Sequence, residues 1–285
     1  MTKVAKTQQR GPINVLAIAG ADSGGASGIQ ADLKTFASLG AHGLSVITAV
    51  TSQNMRAVEA IHRVPIAHIR SQLKALLSDF SIHAVKIGML GSAAAIKAVA
   101  GALSDSTIHH IVLDPVLVSS SGTPLLPNRA LAQLRDVLLP IAEVLTPNVP
   151  EAQILLGRTL VGAADRRNAA IELLALGPQS VLLKGGHAKG EKVYDYFADS
   201  GRAKSSNKNA ASPLRTFTNP RLPIQARGTG CTLSSAIAVG LARGMSRIDA
   251  IAAAERYLQQ RLLYAYRPGK SRLHVLGHAK IDAAP

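Results

Sequence analysis

The sequence predicts an α/β protein built on a mostly parallel sheet that helices cover. Short apolar runs, bounded by glycine or polar residues, alternate along the chain with longer amphipathic segments. Runs that are apolar throughout are typical of parallel strands buried on both faces, and their alternation with helices is typical of this fold class. Clusters of glycine and polar residues follow several strands, at the edge where such sheets bind ligands.

The first strand and helix are joined by a glycine-rich loop. The run Val15–Ala19 is predicted as a buried strand, and the loop Gly20–Gly28 follows it. The next segment, Ile29–Leu39, places apolar residues on one helical face, and Gly40 can end this helix. The loop is neither a Walker A loop nor a Gly-x-Gly-x-x-Gly fingerprint, but a strand, a glycine loop and a helix in this order favour a ligand site.

The same patterns predict the remaining elements. The further strands are Leu44–Ala49, Ala84–Ile87, His110–Asp114, Val144–Thr146 and Ser180–Leu183. The further helices are Ile66–Ser78, Ala93–Leu103, Ala130–Val137, Pro150–Leu156, Ala163–Leu176, Cys231–Arg243 and Arg247–Tyr264. The last of these is amphipathic.

Length and composition suit one domain. The chain has 285 residues, of which 47% are hydrophobic, and no internal repeat or linker divides it. We therefore expect residues 1–285 to form a single domain. Residues 1–12 are expected to be a flexible N-terminus, and Ser200–Thr216, rich in Ser, Asn and Ala, is expected to be a mobile loop.

The net charge of +15 could indicate nucleic-acid binding, but the rest of the composition favours a small anionic substrate. The basic residues are scattered, aromatic residues make up 3% of the chain, and Trp is absent, so stacking platforms for bases are scarce. No apolar stretch reaches the roughly 18 residues of a membrane span. The single cysteine fits a reducing compartment. We expect a cytoplasmic protein with neither nucleic acid nor membrane as a partner.

The run Arg227–Thr232 is the most informative motif. Two glycines, Gly228 and Gly230, let the backbone turn tightly before an apolar helix, whose free N–H groups favour a phosphate. Cys231 lies where the field of the helix lowers the pKa of a thiol. The motif therefore indicates chemistry at a phosphoryl group.

Distinctive residues also end four of the predicted strands. These are Lys86–Leu90, Asp114-Pro115, Thr146–Glu151 and Lys184–His187. Because the carboxyl ends of parallel strands meet at one edge of the sheet, these groups are expected at the same site.

Together these motifs resemble the hydroxymethylpyrimidine kinase/phosphomethylpyrimidine kinase family of thiamine biosynthesis, within the ribokinase superfamily. Two stretches, Gly28–Phe36 and Gly228–Thr232, are specific to this branch. The matching segments, in the family's order, are Ala17–Gln53, Lys86–Leu90, Val112–Leu126, Leu145–Leu155, Val181–His187 and Gly228–Ser234. The resemblance implies a ribokinase-like three-layer sandwich, with helices on both faces of a central mostly parallel sheet, and a homodimer.

The resemblance also implies an activity. It is the ATP- and Mg²⁺-dependent phosphorylation of 4-amino-5-hydroxymethyl-2-methylpyrimidine, followed by phosphorylation of the monophosphate to the diphosphate. A pyridoxal/pyridoxine kinase on the same scaffold is the alternative. A ligand-binding protein without catalysis is a rival from another class, and the presence of Asp32, Asn148, Glu151, Lys184 and Cys231 argues against it.

Residue roles follow from the same resemblance. Asp32 and Gln53 match positions that hold the aminopyrimidine, and a carboxylate and an amide suit its amine and ring nitrogens. Gly20 and Met89 complete the expected substrate side. The expected nucleotide side consists of Thr146, Asn148, Lys184, Gly185 and Gly186. Asp114 and Glu151 are the expected residues for Mg²⁺, which prefers oxygen ligands and keeps several waters.

Cys231, Gly228 and Gly230 are the expected catalytic residues. Cys231 would take the proton of the substrate alcohol, and the N–H groups of residues 228–231 would form an anion hole for the transferring phosphoryl group. Three features depart from the family pattern: Arg227 stands where a histidine is common, the loop Asp22–Gly28 keeps the usual length with a slightly different order of residues, and the C-terminal segment Leu273–His278 matches poorly.

Overall fold

A nine-stranded sheet forms the centre of the molecule. The structure is a computed structural model and describes residues 11–119, 122–186, 190–203 and 214–279. The strands of the sheet are β1 Asn14–Asp22, β2 His42–Gln53, β3 Val58–Arg63, β4 Ile82–Ile87, β5 Ile111–Leu113, β6 Val144–Leu145, β7 Ser180–Leu183, β8 Lys192–Asp199 and β9 Leu214–Pro220. Their spatial order is β3-β2-β1-β4-β5-β6-β7-β8-β9.

The middle of this sheet is parallel and both edges are antiparallel. The six strands from β2 to β7 in the spatial order pair in parallel. β3 pairs antiparallel with β2 at one edge, and β8 and β9 add an antiparallel ribbon to β7 at the other. The predicted parallel sheet with helical crossovers is thus confirmed for its core.

Helices cover both faces of the sheet. They are α1 Gly28–Ser38, α2 Ile66–Asp79, α3 Ala93–Ser104, α4 Leu131–Gln133, α5 Val149–Leu156, α6 Gly162–Glu172, α7 Ser200–Ala203, α8 Thr229–Ala242 and α9 Arg247–Leu263. Side chains of β1 alternate between two cores, with Leu16 and Ile18 in the one that α2, α3, α5 and α6 cover. Val15 and Ala17 lie in the other core, under α1, α8 and α9. These three layers confirm the expected fold class.

All six predicted strands are present, and the strands that the pattern missed are at the edges. β3 reads Val-Glu-Ala-Ile-His-Arg and has no buried residue, so it lacks the apolar run used to find strands. Among the helices, Ala130–Val137 was predicted as regular but is not. After α4 the backbone widens into a π-helical turn at Leu134–Leu138 and tightens into a 3₁₀ turn at Leu139–Ile141.

A second, two-stranded sheet lies beside the central one. β10, Ala226–Arg227, pairs in parallel with β11, His274–Val275. The strand directly before Gly228 is therefore held by the C-terminal segment. Arg261 reinforces the contact by donating to the carbonyl of Gly277 at 3.1 Å.

The two segments expected to be flexible differ in how much of them the structure describes. Ser200–Ala203 form α7, and Leu214–Thr216 begin β9, so both ends of the predicted loop belong to regular elements. Residues 204–213 and 1–10 lie outside the described residues, and residues 11–12 have no regular secondary structure. Among the helices of the described chain, none combines the length and the apolar character that crossing a membrane requires.

Candidate active site

The carboxyl ends of the parallel strands and the start of α8 surround one cavity of about 880 Å³. Eleven of the predicted site residues line it: Gly20, Gln53, Met89, Asp114, Asn148, Glu151, Lys184, Gly186, Gly228, Gly230 and Cys231. Three do not: Asp32, Thr146 and Gly185. Topology thus brings together residues that are more than two hundred positions apart, as expected for an open α/β sheet.

The two glycine loops pack directly against each other. Gly228 has a φ of +80°, and a Cβ there would fall 1.9 Å from the carbonyl oxygen of Ala26. Gly28 has a φ of +57°, and its Cβ would fall 2.3 Å from the carbonyl oxygen of Gly20. Both positions require glycine for its conformation and for its lack of a side chain. The close approach fixes the α8 loop against the β1 loop.

Asp22 organises the first loop from within. Its carboxylate is 3% exposed and accepts hydrogen bonds from the backbone N–H groups of Gly24, Ala26 and Ser27 and from the Ser27 hydroxyl, at 2.8–3.2 Å. Sequence analysis did not single it out. An Asp that precedes Ser and Gly after a strand is a turn signal that could have identified it.

The first turn of α8 provides an anion hole. Gly228 precedes the helix without a side-chain cap, and the first bond within the helix runs from the N–H of Thr232 to the carbonyl of Gly228. Among the described residues, no backbone acceptor pairs with the N–H groups of Thr229, Gly230 and Cys231. All three residues line the cavity. Unpaired amides at the positive end of a helix bind anions.

The surroundings of Cys231 act against the predicted ionisation, which stays a prediction. Burial raises the pKa of its thiol to about 11, although the Lys86 ammonium acts in the opposite direction and the N–H of Gly28 donates to the sulfur. The carboxylates of Asp32 and Asp114 add to the increase. Burial therefore favours the thiol over the thiolate, because desolvation opposes the favourable field of the helix end.

Asp32 lies beneath the cavity rather than on its wall. It is fully buried, and Lys86, also fully buried, is 2.9 Å from its carboxylate. Ser235 on α8 donates to Asp32 Oδ1 at 2.8 Å. The expected contact of Asp32 with a substrate stays a prediction; without a substrate, each carboxylate oxygen accepts a hydrogen bond from the protein.

Lys86 is the main residue that sequence analysis left without a role. It lines the cavity and is the only charged side chain of β4. Burial opposes its charge, but Asp32, Cys231 and Asp114 raise the pKa of Lys86 above its usual value. A lysine inside an otherwise apolar strand is the signal that could have found it.

Lys184 and Asp114 form the second ion pair of the cavity. Lys184 Nζ donates to Asp114 Oδ1 at 2.7 Å, and Thr146 Oγ1 lies 3.3 Å from the same oxygen. Burial acts to lower the pKa of Lys184, but Asp114 and Glu151 outweigh it and raise that pKa. Thr146 is fully buried, so it orients Asp114 from behind instead of lining the nucleotide side as expected.

Asn148 and Glu151 close a capping box at the start of α5. Asn148 Oδ1 accepts from the N–H of Glu151 at 2.9 Å, and Glu151 Oε2 accepts from the N–H of Asn148 at 2.8 Å. Burial and the nearby Asp114 raise the pKa of Glu151 to about 7, against the influence of Lys184. The capping role fixes the Glu151 carboxylate at the cavity wall, so it is compatible with a role toward a metal.

The donor set fits Mg²⁺ only as a loosely held ion. No cluster of three or more His, Cys, Asp or Glu side chains suited to a metal occurs in the described part of the chain. Asp114 Oδ2 accepts no hydrogen bond from a described residue, and Glu151 supplies a second carboxylate. Two carboxylates suffice for Mg²⁺, because it retains waters and uses substrate phosphates as ligands.

Gln53 and Met89 lie on the other side of the anion hole. The backbone of Gln53 is fixed by Ser23, whose hydroxyl accepts from its N–H at 2.8 Å and donates to its carbonyl at 2.7 Å. The side-chain Nε2 of Gln53 donates to no described residue. Met89 packs against Gly20, where a Cβ would come within 3.2 Å of its sulfur. This part of the cavity offers one amide among apolar groups.

Comparison with known proteins gives the family. Residues 22–276 match the family described as phosphomethylpyrimidine kinase. The hydroxymethylpyrimidine/phosphomethylpyrimidine kinase of Rhizobium meliloti is 44% identical over 259 residues, which are 88% of this chain and 91% of that protein. The thiamine biosynthesis bifunctional protein ThiED of Geobacter sulfurreducens is 42% identical over 270 residues. These residues are 94% of this chain but only 52% of the length of ThiED.

Solved structures of two kinds of kinase have a similar fold. A phosphomethylpyrimidine kinase from Clostridium difficile is 37% identical, with a TM-score of 0.74 over 88% of this chain and 99% of that one. The pyridoxal kinase of Bacillus subtilis, solved as an ADP complex, is 29% identical. Its TM-score is 0.83, and the match covers 94% of this chain and 97% of that kinase. The family match over most of the chain and the identity above 40% decide between these two groups: this chain belongs to the phosphomethylpyrimidine kinase family, a family of phosphotransferases.

Proposed function

We propose that this protein transfers the γ-phosphoryl group of ATP to the hydroxymethyl group of 4-amino-5-hydroxymethyl-2-methylpyrimidine, and then a second one to the monophosphate. The observation that carries the proposal is the position of the anion hole. It lies in one cavity with a phosphate-binding side, formed by Lys184, Asp114 and Glu151, and an apolar side that presents the Gln53 amide. The names of the relatives support the same substrate.

The nucleotide enters, in this proposal, on the side of Lys184. Val193, Leu222, Leu258 and Leu262 also line the cavity, and apolar side chains of this kind suit a nucleobase. Lys184 is a point charge for the phosphates and exchanges part of its contact with Asp114 for them. Gly186 lines this side, but Gly185 does not, because its N–H donates to Asp195.

Catalysis rests on positioning and on charge stabilisation: as the bond from the substrate oxygen to the γ-phosphorus forms, the bond from that phosphorus to the ADP oxygen breaks, and the alcohol proton passes to an oxygen of the transferred phosphoryl group. The N–H groups of Thr229, Gly230 and Cys231 receive the equatorial oxygens of the transferring group, and Lys184 and Lys86 add positive charge on either side. Asp114 and Glu151 would hold Mg²⁺, which supplies neutralisation of phosphate charge when bound. Asp32 acts through Lys86, whose ammonium it holds beneath Cys231.

Replacing Cys231 with Ala is expected to lower kcat by about tenfold, with the same ratio to wild type between about pH 6 and about pH 9. A neutral thiol contributes a hydrogen bond of about 0.5–1.5 kcal/mol, and about 1.4 kcal/mol corresponds to tenfold. Since the thiol pKa is about 11, the thiolate fraction rises tenfold per pH unit over this range. A wild-type to variant kcat ratio that rises with that slope would identify the thiolate as the base and contradict the neutral assignment.

Replacing Gln53 with Ala is expected to raise KM for the aminopyrimidine by about tenfold, because a hydrogen bond to the ring is lost. KM for ATP should stay unchanged. Gln259, an amide on the α9 wall of the same cavity, is the matched control, and Gln259→Ala should leave the pyrimidine KM unaltered.

The same assay tests the proposed function itself. Wild-type protein should show a higher kcat/KM for the aminopyrimidine than for pyridoxine when the two compete. A preference for pyridoxine would place this chain functionally with the pyridoxal kinases that share its fold.

We also propose that the protein acts in the cytoplasm as a homodimer. The single thiol, which requires reducing conditions to stay free, and the resemblance to dimeric kinases support this. Light scattering coupled to size-exclusion chromatography should give twice the chain mass of 29.7 kDa. A mass of one chain would contradict the dimer.

A further inference from the structure

Two carboxyl groups lie in contact on the α9 side of the cavity, and the proposed reaction gives neither of them a role. Asp195 on β8 is 5% exposed, and Glu255 on α9 is 4% exposed. Both line the cavity. Two buried carboxylates in contact repel each other, so a proton between them is the expected resolution.

Asp195 holds the turn that follows Lys184. The N–H of Gly185 donates to Asp195 Oδ1 at 2.5 Å, and the neighbouring Gly186 carbonyl accepts from Arg221 at 2.9 Å. The turn also packs tightly on β8, since a Cβ at Gly185 would fall 2.0 Å from the carbonyl oxygen of Tyr194. The backbone that carries Lys184 into the cavity is therefore fixed from β8.

One carboxyl oxygen of Glu255 has no hydrogen-bond donor among the described residues. Its Oε2 accepts from Asn219 Nδ2 at 2.8 Å. Its Oε1 is buried and has no partner among the described residues when the group is ionised. Burial and the Asp195 carboxylate raise the pKa of Glu255 well above its usual value, and a hydrogen bond links the two carboxyl groups. Glu255 is thus the proton donor, and Asp195 is the acceptor.

We propose that Glu255 is a positioning residue for the nucleotide: through the proton it shares with Asp195, it fixes the Gly185 turn and keeps a second negative charge away from the phosphates. The inference rests on the proposed use of ATP. The charged groups that face the pair are Lys184 on β7 and Arg221 after β9. An ionised Glu255 would compete with the nucleotide for Lys184 and push Asp195 away from Gly185.

The sign of the pH dependence follows from the raised pKa. The protonated form of Glu255 is present below this pKa, so the contribution to nucleotide binding is complete there and is lost as the pH rises through it. Glu255→Gln keeps a donor toward Asp195 and an acceptor toward Asn219, but it cannot ionise. Glu255→Ala removes the donor at every pH.

The test is calorimetric titration of ADP into wild type, Glu255→Gln and Glu255→Ala without divalent metal. The titrations run from about pH 6 to about pH 9, a range above the ordinary pKa values of carboxyl groups. Comparing variants at each pH cancels the titration of Glu151. We expect Glu255→Gln to match wild type at the acid end and to bind about tenfold tighter than wild type at the alkaline end. Glu255→Ala should bind about tenfold more weakly than Glu255→Gln throughout.

Hydrogen exchange provides a second readout that does not depend on the nucleotide. The Gly185 amide should exchange about tenfold faster in Glu255→Ala than in Glu255→Gln, with equal melting temperatures, because its acceptor is no longer held. Equal ADP affinities of the two variants, or equal exchange rates, would overturn the positioning role. Absence of ADP binding by wild type would instead refute the proposed use of ATP.

Discussion

Gly228→Ala is expected to lower kcat by about 10²-fold or more while the protein still folds. The added Cβ would lie 1.9 Å from the carbonyl oxygen of Ala26, so one of the two loops has to move by more than an ångström. A displacement of this size at a catalytic group costs about 10²-fold, and loss of anion-hole donors costs about 10²–10³-fold. The measurement is steady-state kinetics together with the melting temperature.

Gly244 offers a matched control for this substitution. It has the same φ of +80°, but a Cβ there would meet nothing within 4 Å. Gly244→Ala therefore carries the backbone strain of about 1–2 kcal/mol without the collision, and its kcat should equal that of wild type. Equal kcat values for the two variants would show that the contact between the loops does not position the anion hole.

Lys86→Met is expected to destabilise the folded state by about 3–5 kcal/mol, because it leaves the Asp32 carboxylate buried without its counter-ion. Both side chains are fully buried, so water cannot replace the lost partner. Asp32→Asn/Lys86→Met removes both charges and keeps an acceptor for Ser235. The double variant should be more stable than Lys86→Met alone, although it carries one more substitution. Urea unfolding at constant m-value measures the difference.

An exposed ion pair is the control for the comparison of Lys86→Met with the double variant. Glu172, which is half exposed, pairs with Arg158 at 2.8 Å on the surface of α6, and Glu172→Gln should change stability by less than about 1 kcal/mol. If the double variant is as unstable as Lys86→Met, the cost comes from packing and not from an unpaired charge. If the double variant regains stability but not kcat, the ammonium of Lys86 also acts on the reaction, as proposed above.

Although the chain as a whole is strongly basic, the two lysines of its cavity do not give the cavity an excess of positive charge. Lys86 and Lys184, two cations close to the anion hole, are each held by a carboxylate, Asp32 and Asp114 respectively. Incoming phosphates therefore meet Lys184 already in place, while Lys86 acts on them from a buried position, and each pairing reduces part of the attraction. Preorganised charges of this kind stabilise a transition state without reorganisation during the reaction.

The sequence by itself determined the sheet, its helices and most of the cavity wall. The strands β1 and β4 to β7 are mostly apolar runs buried on both faces, so local composition reports their place in the fold. The glycines at 28 and 228 could also be predicted, because positive φ and close approach demand that residue type. Residues after strand ends were located for a topological reason, since parallel strands end at one edge.

The tertiary structure alone decided what each polar side chain does. Asp32 became a partner of Lys86 because α1 packs with its carboxylate under β4, which no spacing in the sequence reveals. At Cys231, burial, a property of the assembled core, raises the thiol pKa against the field of the helix end. Asp195 and Glu255 meet only because β8 and α9, sixty residues apart, line the same cavity. Ionisation and partner choice depend on desolvation and on distance in space, and a linear sequence contains neither.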